Sequence, residues 1–317
     1  MQNKINNINV PRPSKTFRII KAPKPFTRAD GSKIKNLTPM QRVMPFLFKT
    51  RTESLIYSPE SVDFTKAREY IKNKNKELPG LNLGTFHLII AALLRTIAEY
   101  PYLNRFICGK RLYARNYISF SFVVLQNIQN GIDETNAKVF LSPEDTIVQV
   151  VEKVNDTISY CRYNGAKEDD KLMDFVAKLP NPVISLIVFF LRKLNDWALL
   201  PKSYIDTDPL FTSVFISNLG SIGHGALNHH LYEWGTASIF LTMGRLTKEA
   251  TDSSDSENNS KWTLDLKLTA DERIAYGYYL VKAMKHFQHL IRHPELLEKA
   301  PGRVVVDDGV ERAEKRE

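Results

Sequence analysis

Apolar residues recur every three or four positions in several segments of the chain, which is the period of an amphipathic helix. In residues 81–101 they form a wide apolar face, and Pro101 marks the predicted end of that helix. The same spacing predicts a final helix after residue 277 that ends before Pro294. The segments predicted to be helical are residues 58–78, 81–101, 142–160, 182–194 and the stretch after 277.

Two of these helices carry start signals in single residues. Pro59 lies in the predicted first turn of helix 58–78, where a proline removes no helical hydrogen bond. Ser142 is the predicted cap of helix 142–160, and Pro143 follows it in the first turn. Both helices are therefore expected to begin at these residues.

Strict alternation of apolar with other residues predicts strands. It is clearest in residues 118–124, where isoleucine, phenylalanine and valine face one way and Ser119 and Ser121 the other. The serine-rich, acidic segment 250–260 predicts a mobile hairpin loop between two strands. Further strands are predicted at residues 211–220, 236–244 and 261–269.

The net charge of +9 is concentrated at the amino terminus. Residues 1–36 hold nine lysines and arginines against one acid, Asp30, so this segment carries +8 and the rest of the chain +1. We therefore predict a basic, flexible arm over residues 1–36, with order beginning near Leu37, a folded domain over 37–300 and a charged tail over 301–317. Nucleic-acid binding is not favoured, because the arm lacks regularly interleaved aromatic residues.

Length and cysteine content place the chain among ordinary globular proteins. Its 317 residues, 43% of them hydrophobic, suffice for one large domain or two small ones. Cys108 and Cys161 do not form a disulfide framework or a zinc spacing. The amino terminus has no apolar core of a secretory signal. These features together predict a cytoplasmic protein.

The most apolar segment is residues 182–194, whose charge-free run of 181–191 is about half the roughly 20 residues that a membrane span needs. A buried helix or one that faces a partner is the first interpretation. Contact with a membrane surface is the second, since Phe189 and Phe190 are followed by Arg192 and Lys193.

Several histidines invite a catalytic or metal-binding interpretation. His229 and His230 in HHLYEWG lack a cysteine or aspartate at the spacing of a nucleophile or an orienting group, so a polar turn between strands is favoured. His286, His289 and His293 have metal-like spacing, but a solvated helix face is favoured over a metal site. The sequence therefore predicts no metal cofactor.

The glycine-rich stretch SNLGSIGHG, residues 217–225, has neither the Walker lysine nor the dinucleotide fingerprint. A phosphate-binding loop is therefore not expected. The stretch predicts a turn that leaves a strand, with Ser217 as a hydroxyl donor at the strand end.

Four stretches in this order resemble a known family: EYPYLNRFICGKRLYARNYISFSFVV, FISNLGSIG, ASIFLTMGRLTKE and LDLKLTADERIAYGYYLVKAMKHF. The family is the catalytic domain of the 2-oxo acid dehydrogenase dihydrolipoamide acyltransferases and, more distantly, chloramphenicol acetyltransferase. The resemblance covers about residues 40–300 and is weak over 165–205. It implies an α/β fold, an α+β sandwich with a mixed sheet flanked by helices, and a trimer whose active sites lie between subunits.

The resemblance also implies acyl transfer between coenzyme A, or acyl-coenzyme A, and a thiol or hydroxyl. In the family a histidine within DHRxxDG is the general base, and a hydroxyl near the SNLG turn stabilises the oxyanion. The turn maps onto Ser217, Asn218 and Gly220, with Ser217 as the hydroxyl. The histidine-containing motif maps onto Asp271, Glu272, Arg273, Tyr276 and Gly277 of DERIAYG.

At two positions this chain departs from the family motif. Glu272 occupies the place of the histidine, and Tyr276 the place of an aspartate or asparagine, whereas Asp271, Arg273 and Gly277 are kept as structural residues. The first interpretation is a non-catalytic or strongly altered homologue that acts as a ligand-binding or assembly subunit. The alternative is an active acyltransferase that uses Glu272 and Ser217.

Overall fold

The computed structural model describes residues 17–20, 28–128, 131–164, 176–249 and 261–307. Its centre is a six-stranded sheet in the order β2-β9-β8-β7-β5-β6. β7 runs parallel to both of its neighbours, and every other adjacent pair in this sheet is antiparallel. The strands are β2 (Leu55–Asp63), β5 (Ile118–Ile128), β6 (Gly131–Leu141), β7 (Val214–Asn218), β8 (Ile239–Lys248) and β9 (Trp262–Asp271).

A second, three-stranded antiparallel sheet has the order β1-β4-β3. Residues Gly109 and Lys110 connect its hairpin with left-handed backbone conformations, at φ of 53° and 59°. Such a turn suits the right-handed twist of paired strands. The strands are β1 (Gly31–Lys33), β3 (Arg105–Cys108) and β4 (Arg111–Arg115).

Helices cover one face of the large sheet. The most enclosed of them has every side chain from position 87 to 98 buried, which explains its wide apolar face. On the opposite face, Phe215 and Phe240 pack against Leu231 and Tyr232 of the segment that leads into β8. The helices are α1 (Pro39–Leu47), α2 (Thr65–Glu77), α3 (Thr85–Glu99), α4 (Ile147–Asn164), α5 (Asn181–Asp196), α6 (Lys202–Thr207) and α7 (Gly277–Arg292).

This architecture confirms the predicted mixed sheet flanked by helices, but the prediction of a helix over 58–78 is wrong in its first part. Residues Leu55–Asp63 form an edge strand that pairs with β9 along its whole length, and the helix begins only at Thr65. Pro59 is tolerated in β2 because an edge strand has one side without a partner strand.

One more boundary differs from the prediction, and one strand was not predicted. Helix α4 begins at Ile147 and not at Ser142, because the Ser142 N–H donates to the Asp145 carboxylate and closes a turn before the helix. The predicted strand near 118–124 is confirmed as part of β5, whereas its partner β6 was not predicted. The predicted loop 250–260 lies outside the described residues.

The predicted arm of residues 1–36 is too long, because residues 28–36 belong to the fold. Asp30 is fully buried, accepts hydrogen bonds from Arg28, and lies 3.4 Å from a guanidinium nitrogen of Arg115. Residues 31–33 add a strand to the small sheet. Residues 301–307 also pack on the domain, since Val305 donates its N–H to the Ala98 carbonyl.

Candidate functional site

The sequence DERIAYG forms a tight turn that joins β9 to α7. The Arg273 guanidinium donates to both oxygens of Asp271, from Nε at 2.8 Å and from Nη2 at 2.7 Å, and both side chains are almost completely buried. Its third nitrogen donates to the Phe48 carbonyl at 2.8 Å. Charge-assisted pairs with two parallel hydrogen bonds fix geometry strongly, so this pair sets the shape of the turn.

Glu272 lies between the two members of that pair. Its backbone N–H donates to the Ser54 carbonyl at 2.9 Å, which pins the main chain. The carboxylate is half-buried and forms no hydrogen bond or ion pair with any residue that the structure describes. Arg273 cannot orient it, because that guanidinium is already bonded to Asp271 and Phe48.

Tyr276 does not contact Glu272 by a hydrogen bond. Its hydroxyl lies 2.8 Å from the Thr38 hydroxyl, which also caps α1. Tyr276 itself occupies the cap position of α7 without a side-chain cap bond. The residue in the family's aspartate or asparagine position therefore ties the start of α7 to the start of α1.

A buried arginine, Arg51, lies near the charge of Asp271 and was not predicted from the sequence. Arg51 donates to the carbonyls of Ile107, Tyr232 and Gly235, with distances of 3.2, 3.0 and 2.8 Å. Burial lowers the pKa of Arg51, and the nearby charge of Asp271 opposes that shift. An isolated arginine in the sequence gave no signal of this role, because its partners are carbonyl groups from distant segments.

The HHLYEWG stretch contributes the carboxylate of Glu233, which binds the segment that contains Arg51 and Thr52. Glu233 accepts from the backbone N–H groups of Arg51 and Thr52 and from the Thr52 hydroxyl, at 3.2, 2.9 and 2.8 Å. Burial alone would raise the pKa of Glu233, but the hydrogen bonds from Thr52 and Arg51 hold it below its usual value. This stretch thereby holds the segment that carries Ser54, and through Ser54 it pins Glu272.

The two histidines of that stretch pack as a stack. The His229 ring lies 3.9 Å from the Phe240 ring, centroid to centroid, and 4.7 Å from His230. Its Nδ1 lies 2.7 Å from the His230 carbonyl oxygen. Burial lowers the pKa of His229, which favours the neutral ring.

The two histidines of α7 and His293, which follows its last residue, do not converge. His286 Nε2 lies 3.3 Å from Glu99, while His289 is exposed and its ring lies 4.6 Å from that of His293. Within the part of the chain that the structure describes, no group of three or more metal-ligating side chains is assembled.

The SNLG turn follows β7. Ser217 lies opposite Thr242 of β8, and its hydroxyl has no hydrogen-bond partner among the described residues. A Cβ added to Gly220 would lie 2.5 Å from the Gly244 carbonyl oxygen, so the turn approaches β8 closely. Gly277 has no such constraint, since a Cβ there would meet nothing within 4 Å. A steric need for glycine is therefore present at Gly220 but not at Gly277.

One chain does not bring Ser217 and Glu272 together. In the strand register, Ser217 of β7 pairs with Thr242 of β8, and Thr242 pairs with Lys267 of β9. Glu272 is five residues beyond Lys267, which corresponds to about 17 Å along the strand. Ser217 therefore lies level with the middle of β9, whereas Glu272 follows its last residue, and the two candidate residues are too far apart to act on one reacting group within a single copy.

Comparisons with known proteins find the same architecture. No protein-family model and no curated protein sequence matches the chain. Among solved structures, the cubic core of the pyruvate dehydrogenase multienzyme complex superimposes with a TM-score of 0.53 at 15% identity, over 83% of this chain and 93% of that one. This chain has the fold of a dihydrolipoamide acyltransferase catalytic core.

Two further structures with the acyltransferase-core fold agree. The dihydrolipoamide acetyltransferase of Azotobacter vinelandii gives a TM-score of 0.52 at 16% identity, over 83% of this chain and 93% of that one. A probable dihydrolipoamide acetyltransferase from Listeria monocytogenes gives 0.52 at 14% identity, over 83% and 95%. At sequence identities this low, the structural similarity shows a shared fold and nothing more.

Proposed function

We propose that this chain is a non-catalytic or strongly altered homologue of the coenzyme A-dependent acyltransferases, acting as a ligand-binding or assembly subunit. The observation that carries the proposal is the arrangement of side chains in the DERIAYG turn. The buried pair of Asp271 and Arg273 holds the turn in shape, while the position of the family's base carries Glu272, which no described residue orients.

The chemistry of the substitution supports this proposal. In the Azotobacter enzyme a serine, a histidine and an asparagine have been studied for their roles in the catalytic mechanism. A carboxylate is a much weaker base than imidazole toward a thiol at neutral pH, and a positioned general base typically contributes about 10²–10⁴ in rate. Replacement of histidine by Glu272 removes most of that contribution unless the acceptor needs little deprotonation.

The separation of Ser217 from Glu272 supports assembly as part of the function. A site that uses both residues needs a second copy, placed so that Ser217 of one copy faces Glu272 of the other. The similar pyruvate dehydrogenase structure is itself a cubic core of a multienzyme complex. We propose a homo-oligomer, with a trimer as its unit.

Coenzyme A fits this chain only in such an assembly. Within one copy, no acyl group can reach both the Ser217 hydroxyl and the Glu272 carboxylate, so a single chain does not hold the reacting centre. At the interface of two copies, the unpartnered Ser217 hydroxyl is free to accept or donate a hydrogen bond to a bound thioester.

Calorimetric titration of the intact chain with coenzyme A, together with sedimentation velocity and an acyl-transfer assay, tests the proposal. We expect an oligomer with three times the 36.4 kDa mass of one chain, and no turnover above the uncatalysed rate. Glu272→His is expected to introduce turnover, and Glu69→His, on the exposed surface of α2, to introduce none. Turnover by the intact chain that Glu272→Gln abolishes would overturn the non-catalytic assignment.

An active acyltransferase that uses Glu272 and Ser217 is the second candidate, and the intact DERIAYG turn favours it, because the buried pair of Asp271 and Arg273 still fixes the main chain at position 272. Complementation tests it sharply. Ser217→Ala and Glu272→Gln would each be inactive alone, but mixed oligomers would regain part of the activity, because each contact that joins two intact residues forms a complete site. Activity that does not return on mixing excludes a site shared in this way.

A further inference from the structure

Glu272 lies next to an exposed apolar surface. The Arg273 guanidinium donates to the carbonyl of Phe48, the residue that follows α1. The Tyr276 hydroxyl lies 2.8 Å from the hydroxyl of Thr38, the residue that caps α1. These two contacts hold α1 beside the DERIAYG turn. The exposed apolar side chains of α1 and of the first turns of α7 are Met40, Val43, Phe46, Leu47, Tyr278 and Val281.

The exposed apolar side chains of α1 lie on the side of the helix that is turned away from the domain. Gln41 and Pro45, four positions apart, are its buried residues. Met40, Val43 and Leu47 follow one another at spacings of three and four on a different side, with exposed fractions of 57%, 47% and 61%. An apolar helix face that remains in water beside a polar turn indicates a contact with another macromolecule.

The SNLG turn, which contains the other candidate residue, Ser217, is also flanked by exposed apolar side chains. Ile222 and Leu227 are 61% and 52% exposed. The turn packs closely against β8, since a Cβ added to Gly220 would lie 3.2 Å from the Arg245 Cα. The Arg245 side chain is exposed and forms no hydrogen bond or ion pair with any described residue. An unpaired cation therefore lies beside the SNLG turn.

Arg245 and Glu272 cannot pair within one copy. Arg245 follows Met243 by two positions, and Met243 pairs with Leu266 of β9. Glu272 is six residues beyond Leu266, which corresponds to about 20 Å along the strand. This distance is much longer than an ion pair between two side chains can bridge. Each of the two charges is therefore available to another molecule.

The other charged groups near Glu272 leave its carboxylate without a cation. Asp271 is paired with Arg273. Glu53 and Glu233 accept hydrogen bonds from backbone N–H groups of residues 49–52. The exposed cations on α1 and near it form no ion pair with Glu272, and they are Arg42, Lys49 and Lys110. An arginine from another copy would supply the charge-assisted hydrogen bonds that this carboxylate lacks.

From these observations we infer that Arg245 of one copy forms an ion pair with Glu272 of the next copy, and that the apolar surfaces beside the two residues pack around this pair. The inference rests on the proposed function, because it uses the contact in which Ser217 of one copy faces Glu272 of the other. Two different surfaces meet, so the contact is head-to-tail, and a ring closes when every copy offers both surfaces. Position 272 then serves assembly.

Helix α5 carries a second exposed apolar surface. The predicted apolar helix over 182–194 is present as Asn181–Asp196, but most of its apolar side chains are exposed and not buried. Among the described residues, no helix is long and apolar enough to cross a membrane. The buried end of α5 bonds to Arg28 through Asn195, and no residue of the helix bonds to Glu272 or Ser217. This surface is therefore a matched control for α1.

Sedimentation velocity of the intact chain tests the ion pair by charge reversal. Glu272→Arg and Arg245→Glu each place like charges in every contact, so each should weaken association at least about tenfold. A chain that carries both substitutions has opposite charges again and should associate as the unmodified chain does. Glu69→Arg, on the exposed surface of α2, and Lys248→Glu, three residues farther along β8, are the matched controls and should leave association unchanged.

The apolar surfaces are tested with variants of matched chemistry. Val43→Asp with Leu47→Asp, on α1, should weaken association at least about tenfold, because it puts two charges into an apolar contact. Leu186→Asp with Phe190→Asp charges two side chains of similar exposure on α5 and should have no effect. Dissociation by the α5 variant but not by the α1 variant would place the contact on α5 and overturn the inference.

Chemical cross-linking gives a measurement that does not depend on the charge-reversed variants. A short bismaleimide should join a Glu272→Cys chain to an Arg245→Cys chain, and it should join neither variant to itself. A mixture of Glu69→Cys with Arg245→Cys should give no covalent dimer. The two natural cysteines, Cys108 and Cys161, are buried and therefore do not compete for the reagent.

The outcomes separate this inference from the proposed function. An oligomer that neither charge reversal weakens, or that the double substitution does not restore, would overturn the ion pair and leave the proposed assembly in place. A chain that is a monomer at every concentration would overturn both. Covalent dimers formed by the Glu272→Cys chain alone would place two copies of Glu272 opposite each other and contradict the head-to-tail contact.

Discussion

Asp271 and Arg273 form a buried pair with two parallel hydrogen bonds across the one residue that separates them, Glu272. Because the pair closes over that residue, the turn holds its shape without any contribution from the Glu272 carboxylate. Structure and chemistry are therefore separable at this site, and variants at position 272 report on chemistry while variants at 271 and 273 report on the fold.

Arg273→Ala is expected to reduce the free energy of unfolding by about 3–5 kcal/mol, because it leaves the buried Asp271 carboxylate without its partner. Denaturant titration followed by fluorescence measures the change. Arg292→Ala removes an exposed arginine from α7 and should change stability by less than about 0.5 kcal/mol. Equal effects of the two variants would show that the buried pair does not stabilise the turn.

Gly220→Ala is expected to destabilise the domain by about 1–3 kcal/mol, because the new Cβ would lie 2.5 Å from the Gly244 carbonyl oxygen and force two backbone segments apart. Gly225→Ala is the matched control in the same turn, since a Cβ there meets nothing within 4 Å. Thermal unfolding of both variants gives the comparison. A Gly220→Ala variant as stable as Gly225→Ala would contradict the close approach.

Periodicity predicted the buried elements well and the edges of the fold poorly. Helix α3 and strand β5 have one strongly apolar face each, so their patterns follow from burial alone. Strand β2 is half exposed, and what makes it a strand is its pairing with β9, which lies more than 200 positions later in the chain. A local pattern holds no information about such a partner.

The buried ionic cluster of Arg28, Asp30 and Arg115 could not be predicted from the basic composition of residues 1–36, again because its partners are distant in the chain. Charge counts treat every lysine and arginine as solvated, yet Arg28 and Asp30 are fully enclosed. The candidate site shows the same limit. Motif matching identified Glu272 and Ser217 by position, but only the strand register shows that Glu272 lies five residues beyond the level of Ser217.

Asp30→Asn is expected to reduce the free energy of unfolding by about 3–5 kcal/mol, because Arg28 and Arg115 would remain buried as positive charges without a carboxylate. Chemical denaturation measures it, with Asp156→Asn, on the exposed surface of α4, as the control. If residues 28–36 were a flexible arm, the two variants would be equally stable.

Stability should fall as the pH drops from about 7 toward 5, and His87 is one cause. The buried ring accepts the Gly84 N–H at Nδ1, 3.1 Å away, and lies 3.0 Å from the Asn155 side-chain oxygen through Nε2, so it is held neutral. Burial lowers the pKa of His87, although the Asn155 hydrogen bond opposes the shift. Below the ordinary histidine value of about 6.5 the unfolded chain therefore binds a proton that the folded chain does not, and folding loses free energy.

His87→Gln should flatten this part of the pH dependence even if it lowers stability at pH 7, because glutamine does not titrate. Urea unfolding at closely spaced pH values between 5 and 8 measures the slope directly. His289→Gln, which changes an exposed histidine of α7, should leave the fall in place. A slope that survives His87→Gln unchanged would assign the acid sensitivity to other groups and remove His87 as its cause.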